Sequence, residues 1–379
     1  MLRTSLARAL MAIHGYTREV EEAYGRALEL FEGQREIPQL FPVLRSLASF
    51  YTYRAEFEKG AQVGREILRL AEVQDDPSMR VDGHLVLGSS IAFQHDLHGG
   101  LEHLDSAIAS FESQGYRFRR FRLGNNPGVA CFTTSALVLW MLGHPDRALE
   151  RANRAVALAT ELGHPFTLAY GLFHSGFLHL WRREPELVGD RAMGVLDVAH
   201  EHELPIWKAL GHCLRGAANT GMGRFDEGLA EIRQGLDLYQ GLKTPPVFWP
   251  LLLSVQAGAY ARSGRPADGL GLIEEAIEIA GSGLTLVPEF YLLKGDLLLA
   301  LPDANGTSAE SWFQRAFDVA EGVDARMSQL RAAIRLCRLW RDQGNVEQGG
   351  RMLRAVYEAF MEGFATLDLI EARELLESL

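Results

Sequence analysis

The stretch LGHPDRALERANRAVALATELGHP, residues 142–165, begins and ends with the same four residues. A glycine tolerates the left-handed backbone that ends a helix, and a proline two residues later is favourable at the first position of the next helix. Between the two copies, apolar residues recur at steps of three and four, as on one buried helix face. They are Ala148, Leu149, Ala152, Ala155, Val156 and Ala159. The shift of 20 residues therefore predicts one helix and a turn, and a helix pair of about 40 residues.

Two columns of mostly small residues test this period along the chain. The first, which contains Ala148, is Ala23, Gly60, Gly100, Ala148, Val188, Gly228, Gly269, Ala309 and Gly349. The residues four and seven places after each of these are all uncharged, although 23% of the chain is charged. The second column, 12 residues earlier, is Met11, Ala48, Gly88, Ala136, Gly176, Gly216, Ala257, Leu297 and Cys337. Small residues at these places let the two helices of a pair approach closely, and in the second column Met11 and Leu297 are the bulky exceptions.

These columns predict an all-α fold, a right-handed superhelix (α-solenoid) of about nine helix pairs. Residues 1–366 form the repeat array in this interpretation. Residues 367–379 form a C-terminal capping helix, because the last pair would otherwise expose its stacking face. The gap of 48 residues between Gly100 and Ala148 places an insertion near residues 115–128.

The composition argues against several classes of partner. A net charge of −11 gives no overall attraction to nucleic acid or to anionic lipid. Residues 123–145 and 244–261 carry no formal charge, but their prolines and glycines leave too few helical positions for a membrane span of about 20 residues. We therefore expect a cytoplasmic protein with no nucleic-acid and no membrane partner. Its cysteines, Cys131, Cys213 and Cys337, are too scattered for a CxxC motif and are expected in the core.

The sequence lacks the common catalytic motifs: no P-loop, no GxSxG and no HExxH is present. The best metal candidate is His95, Asp96, His98 and His103, since imidazoles and a carboxylate could hold zinc. These residues surround a predicted turn before Gly100, where polar side chains are expected in any case. We therefore predict a protein that is not an enzyme and has no cofactor and no metal.

The two small-residue columns resemble those of tetratricopeptide repeats, whose usual period is about 34 residues. Further stretches resemble the C-terminal helical repeats of bacterial multidomain signalling ATPases, in which a class III nucleotide cyclase, a protein kinase or a LuxR-type DNA-binding domain comes first. These stretches are residues 125–149, 232–240, 288–299, 329–344 and 362–376. The resemblance implies a regulatory or sensory arm, and it implies an upstream ATPase module in the same chain as a partner.

Stacked helix pairs place their first helices on the concave side of the superhelix. Counting from the second column, the inward residues should include Arg45, Tyr53, Tyr170, Phe173, Tyr291, Lys294, Arg331 and Arg338. Aromatic rings supply rigid contact area and arginines orient carboxylates, so a protein or an acidic peptide is the first candidate for binding in this groove. The alternative is a small-ligand sensor, because related repeat regions of maltose-responsive activators bind a sugar. An open channel favours the peptide, and an aromatic-walled pocket favours the small ligand.

The predicted insertion has the sharpest local pattern of the sequence. Aromatic residues alternate there with Arg117, Arg119, Arg120 and Arg122. Arginines in this setting could contact an anion, above all an acidic protein surface. They could equally stay in water while the aromatic residues pack against the array.

Overall fold

The computed structural model describes residues 17–29, 31, 38–114, 125–242, 246–281, 284–302 and 306–379. Its first nine helices are α1 (Arg18–Glu29), α2 (Phe41–Tyr53), α3 (Phe57–Gln74), α4 (Pro77–Phe93), α5 (Leu97–Ser113), α6 (Pro127–Met141), α7 (Pro145–Leu162), α8 (Pro165–Trp181) and α9 (Pro185–Glu201). The others are α10 (Pro205–Gly221), α11 (Phe225–Gly241), α12 (Trp249–Arg262), α13 (Pro266–Ala280), α14 (Val287–Leu299), α15 (Gly306–Gly322), α16 (Arg326–Asp342), α17 (Val346–Tyr357) and α18 (Leu367–Glu377). Short 3₁₀ turns, Pro38–Leu40 and Pro246–Phe248, precede α2 and α12.

Consecutive helices pack as pairs, from α2 with α3 to α16 with α17. Within the described ranges these are eight complete pairs, and α1 is the second helix of the predicted first pair. The first helix of that pair was predicted within residues 1–16, which lie outside the described residues. The prediction of an all-α repeat solenoid is confirmed. The helix α18 lies where the capping helix was expected, and the division of the chain at residue 366 stays a prediction.

The repeated tetrapeptide ends one helix and begins the next, as its residues predict. Gly143 and Gly163 have positive φ angles of 84° and 63°, which a residue with a side chain adopts at a cost. Pro145 and Pro165 are the first residues of α7 and α8. These residues set the spacing between helices in the middle of the chain.

The small-residue columns mark where paired helices touch backbone to backbone. A Cβ atom added to Gly216 would lie 2.5 Å from the carbonyl oxygen of Gly228, and one on Gly228 would lie 2.7 Å from the carbonyl oxygen of Gly216. Gly88 and Gly100 approach each other in the same way in α4 and α5, at 2.8 Å. A larger side chain at these places would force the two helices apart.

Later pairs also contact earlier pairs, which the sequence did not predict. The Thr285 hydroxyl, just before α14, donates to the carbonyl oxygen of Ala92 in α4 at 2.7 Å and accepts from the backbone N–H of His95. The Glu362 carboxylate accepts from the backbone N–H groups of Asp146 and Arg147 in the first turn of α7, both at 3.0 Å. The superhelix therefore closes on itself, and remote helices enclose its interior.

One apolar core cluster spans the contact between the early and the late helices. It combines buried residues of α4 to α8 with buried residues of α15 to α18. Trp140 in α6, 2% exposed, and Phe360, 4% exposed, belong to it although they are far apart in sequence. Among the described helices, none is both long and apolar enough to cross a membrane.

Candidate functional site

The interior of the superhelix contains a cavity of about 200 Å³ with mainly apolar walls, which we call the apolar chamber. Its walls come mainly from α2, α4, α6, α8, α12 and α14, with Phe57 from the start of α3 and Phe248 from the 3₁₀ turn before α12. The side chains that define it are Tyr53, Phe57, Phe93, Leu137, Tyr170, Phe173, His174, Phe177, Trp181, Phe248, Leu251 and Phe290. Ten of its 25 described lining residues carry an aromatic ring, histidine included, and such rings are common in small-ligand sites.

Four of these aromatic side chains come from one face of α8. Tyr170, Phe173, Phe177 and Trp181 follow one another at steps of three and four residues, which places them on one face. The Phe173 and Phe177 ring centroids are 6.1 Å apart, and the Phe177 and Trp181 centroids are 5.2 Å apart in an edge-on arrangement. Since α8 is a first helix of a pair, this face looks into the superhelix.

The polar groups of the apolar chamber are mostly neutral, and they include Ser49, Thr52, Ser89, Asn125 and Thr134. His174 Nδ1 donates to the Tyr170 carbonyl oxygen at 2.8 Å, so Nε2 remains as an acceptor. Burial lowers the pKa of His174 to about 4 and raises the pKa of Tyr170 to about 12. The pKa of Tyr53 is also raised, again by burial. Among the described residues of this wall Arg45 is the one arginine or lysine, and it is ion-paired with Asp82.

A second cavity, of about 430 Å³, adjoins the first, and we call it the charged chamber. It is defined by Arg183, Arg262, Arg331, Arg335, Arg338, Glu289, Asp296, Asp368 and Glu371. It shares its other wall with the apolar chamber through Phe177, Trp181, Leu251, Leu286 and Phe290. The two chambers therefore lie side by side, one with mainly apolar walls and one with charged walls.

Arg331 joins three helices at the floor of the charged chamber. Its guanidinium contacts Glu289 of α14 at 2.9 Å, Asp368 of α18 at 2.9 Å and the carbonyl oxygen of Trp181 at the end of α8. Burial opposes the charge on Arg331, but Asp368 and Glu289 outweigh it and raise the pKa. The same contact lowers the pKa of Asp368 against the effect of burial. Arg331 thus connects α16 to α8, α14 and α18, and it also lines the charged chamber.

The other arginines of the charged chamber differ in how well they are paired. Arg335 contacts Asp296 at 2.7 Å, Arg338 contacts Glu371 at 2.6 Å, and Arg183 contacts Glu371 at 2.7 Å. Arg262, at the end of α12, has no carboxylate partner among the described residues. Its Nη2 donates to the Thr220 hydroxyl at 2.9 Å.

Six of the eight residues predicted to face inward line the two chambers. Arg45, Tyr53, Tyr170 and Phe173 lie in the wall of the apolar chamber, while Arg331 and Arg338 lie in the wall of the charged chamber. Their contact with a partner stays a prediction. The predicted anion-contact residues Arg117, Arg119, Arg120 and Arg122 lie outside the described residues.

Tyr291 and Lys294 do not face the chambers, contrary to the prediction. Tyr291 is buried against Trp312 of α15, and Lys294 contacts Glu274 at 2.8 Å with its ammonium 4.2 Å from the Trp312 ring centre. The reason is that α14 makes its close contact two residues before the position that the second column predicts. Gly295, rather than Leu297, makes the close approach to α15, where an added Cβ would lie 2.3 Å from the Phe313 ring.

The histidines proposed as the best metal candidate are not brought together. Asp96 accepts from the backbone N–H of Gly99 and caps α5, His98 contacts Asp324 at 2.6 Å, and His103 contacts His84 at 2.9 Å. No group of three or more potential ligands lies together in the ranges that the structure describes.

Sequence reasoning missed four residues that shape the chambers. Phe177 and Trp181 continue the helical stripe of Tyr170 and Phe173, so extending the count along α8 would have found them. His174 lies beside that stripe. Arg262 carries no sequence signal, because it resembles any arginine near a helix end.

The sequence matches no family model and no curated protein. Solved structures match the fold. A Rap protein complexed with competence and sporulation factor has a TM-score of 0.60 at 11% identity, covering 100% of this chain and 98% of that one. The apo form of the quorum sensor NprR from B. thuringiensis has a TM-score of 0.51 at 13% identity, covering 94% and 97%. A signal transduction ATPase with a tetratricopeptide repeat sensor from Pyrococcus horikoshii matches less well, with a TM-score of 0.43 at 12% identity, covering 95% and 55%.

The fold is a tetratricopeptide-like helical solenoid. The resemblance to tetratricopeptide repeats, read from the two small-residue columns, is confirmed at this level. The resemblance to cyclase, kinase and LuxR-type architectures stays a prediction.

Proposed function

We propose that this protein is a non-enzymatic regulatory receptor that binds a short peptide inside its superhelix. The observation that carries the proposal is the shared wall between the apolar chamber and the charged chamber. A peptide has both an apolar and an ionic part, so it can use both chambers at once. The upstream ATPase module expected from the resemblance would transmit the signal.

The physical chemistry of the walls supports a peptide. Aromatic side chains lose little conformational freedom on binding and offer large apolar area, which makes them effective anchors. Arginines orient carboxylates through paired N–H donors. The Rap structure of similar fold is itself a complex with competence and sporulation factor, which supports a peptide rather than a nucleotide or a metal ion as occupant.

The size of the interior limits the ligand. The two cavities, about 200 Å³ and about 430 Å³, together fall within the range of about 300–1,000 Å³ that small-ligand pockets occupy. A whole helix of a partner protein needs an open groove, and contacts between remote helices close this one. We therefore favour a short, extended peptide over the larger protein partner that the concave surface alone had suggested.

A small-molecule sensor is the second candidate. The apolar chamber favours it, because a closed, aromatic-walled pocket is what a small-ligand sensor was expected to have; the adjoining charged chamber is the reason for placing the peptide first. Its aromatic walls and the neutral acceptor Nε2 of His174 suit a small, mainly apolar ligand with one donor group. This candidate needs the apolar chamber alone, whereas the peptide needs both chambers. Blocking the charged chamber therefore distinguishes the two.

Ser254→Trp is the substitution that tests the peptide receptor. Ser254 lines the charged chamber, and its hydroxyl donates within its own helix to the Leu251 carbonyl oxygen. The indole would fill the chamber without removing a tertiary hydrogen bond. We expect wild-type protein to retain members of a random pentapeptide pool, and we expect the variant to retain none. The most enriched peptide, added at about 100 times its Kd, should raise the wild-type Tm by roughly 3 °C.

Ser106→Trp is the matched control. Ser106 is exposed on α5, and its hydroxyl also donates within its own helix, to the Glu102 carbonyl oxygen. This variant should bind the peptide like wild type. If a metabolite library raises the Tm of wild type and of Ser254→Trp equally while no peptide does, the small-molecule sensor replaces the peptide receptor.

A further inference from the structure

The charged chamber contains one arginine whose charge the described residues leave unmatched. Arg262 is exposed to the interior, and its polar contact is the Thr220 hydroxyl at 2.9 Å. A guanidinium has five N–H donors, so most of those of Arg262 remain available. Gly258, one turn earlier, lies next to the guanidinium, and an added Cβ there would be in contact with Arg262 Nη1 at 3.4 Å.

The charge balance of the chamber identifies Arg262 as the unmatched group. Its described walls contain five arginines and four carboxylates. Each carboxylate contacts at least one of the other four arginines: Glu289 and Asp368 contact Arg331, Asp296 contacts Arg335, and Glu371 contacts Arg338 and Arg183. One positive charge therefore remains, and it lies at the end of α12.

Arg262 is accessible to a ligand, although protein atoms cover part of its side chain. This partial burial lowers the pKa of Arg262. An anion that enters the chamber would restore the lost solvation and accept the unused N–H groups. Arg262 is therefore the group in this chamber that can pair with an anionic ligand.

We propose that Arg262 binds a single carboxylate of the ligand, the C-terminal carboxylate of a short peptide, and thereby fixes the direction of that peptide. This proposal rests on the proposed peptide receptor. With its C-terminus at Arg262, the preceding residues extend past Phe177 and Leu251, which line both chambers, toward the apolar chamber.

A carboxylate fits better than a phosphate for a reason of charge. The chamber has one unmatched positive charge, which one carboxylate neutralises. A phosphate group brings up to two negative charges at pH 7, and the described walls leave no second positive charge to match the second of them. The charge balance therefore favours the singly charged anion.

The proposal predicts a preference for peptides with a free acid terminus. The probe is a pool of N-acetylated random pentapeptides, made once with C-terminal acids and once with C-terminal amides. The most enriched acid peptide should bind wild-type protein at least about tenfold more tightly than its amide form, as expected for a charge-assisted hydrogen bond. In Arg262→Gln this ratio should fall to about one, and inorganic phosphate should not displace the peptide from wild type.

Arg233→Gln makes the same charge change on the exposed face of α11 and should keep the tenfold preference. A preference that survives in Arg262→Gln, or a wild type that binds acid and amide equally, overturns the carboxylate proposal. Equal binding of acid and amide that Ser254→Trp abolishes overturns only this assignment and leaves the peptide receptor standing. Displacement by inorganic phosphate also overturns it, and absence of any peptide binding overturns both proposals.

Discussion

His174 lies between the rings of Tyr170 and Phe248 in the apolar chamber, with centroid distances of 4.1 Å and 6.2 Å. Burial holds its pKa near 4, below the ordinary value of 6.5. Between those two pH values the unfolded chain binds a proton that the folded chain does not. The free energy of unfolding therefore decreases as the pH falls through this window.

We expect His174→Gln to remove this part of the acid sensitivity. The decrease in the free energy of unfolding between pH 6.5 and pH 4 should become smaller by up to about 3 kcal/mol, since one pKa unit corresponds to about 1.4 kcal/mol. Urea unfolding at several pH values measures it. His200→Gln, on the exposed end of α9, should leave the pH dependence as in wild type. If the free energy of unfolding changes equally with pH in all three proteins, His174 binds its proton in the folded state as readily as in the unfolded state.

At the scale of elements, the glycines of paired helices set the distance between the helix axes. Gly216→Ala should lower the free energy of unfolding by about 1–3 kcal/mol, because the new methyl group would lie 2.5 Å from the carbonyl oxygen of Gly228. The overpacking outweighs the gain in helix propensity, which is at most about 1 kcal/mol. Chemical denaturation of the variant checks the loss.

The control for this substitution is Gly271→Ala in α13. No atom lies within 4 Å of the added Cβ, and the residue is exposed. The helix-propensity gain should therefore appear alone, as a stabilisation of up to about 1 kcal/mol. A similar change in both variants would show that the close approach at Gly216 costs nothing.

The columns predicted these elements from the sequence because helix packing requires small residues at a fixed period. They failed at α14, where the column contains Leu297. That side chain packs toward α13, 2.9 Å from a Cβ added at Gly269, and Gly295 takes its place at the α15 contact. The shift of two residues turns Tyr291 and Lys294 away from the chambers. The bulky Leu297 in a column of small residues was thus the sequence feature that indicated a different contact at α14.

At the scale of the whole molecule, the closure of the superhelix could not be predicted. It depends on the small rotation between successive pairs, summed over several pairs, and no single residue reports that rotation. Thr285 and Arg331, which join remote helices, resemble ordinary polar residues in the sequence. The site could not be predicted for the same reason. The two chambers, and the position of Arg262 in one of them, depend on the contacts between remote helices that close the superhelix.

Closure changes how the molecule should unfold. In an open solenoid each pair contacts only its neighbours, so the two ends can unfold separately. Here Arg331 joins α16 to α8 and α18, and it is buried with Asp368. Arg331→Met should lower the free energy of unfolding by about 3–5 kcal/mol, because it leaves Asp368 buried without its main partner. It should also weaken the coupling between the unfolding of α6–α8 and that of α16–α18, which the shared apolar cluster and the Glu362 contacts still maintain in part.

Hydrogen exchange in increasing urea measures both effects, since it reports each helix separately. In wild type, the amides of α6–α8 and α16–α18 should become exchangeable together. Arg335→Met is the comparison, because the described hydrogen-bond partners of Arg335 are Asp296 of the neighbouring helix pair and the Arg331 carbonyl oxygen of its own helix. Arg335→Met should lower the free energy of unfolding, but both groups of amides should still become exchangeable together. The reason is that Arg335 joins neighbouring helix pairs, whereas Arg331 joins remote ones. Separate opening already in wild type would mean that the turns touch without stabilising each other.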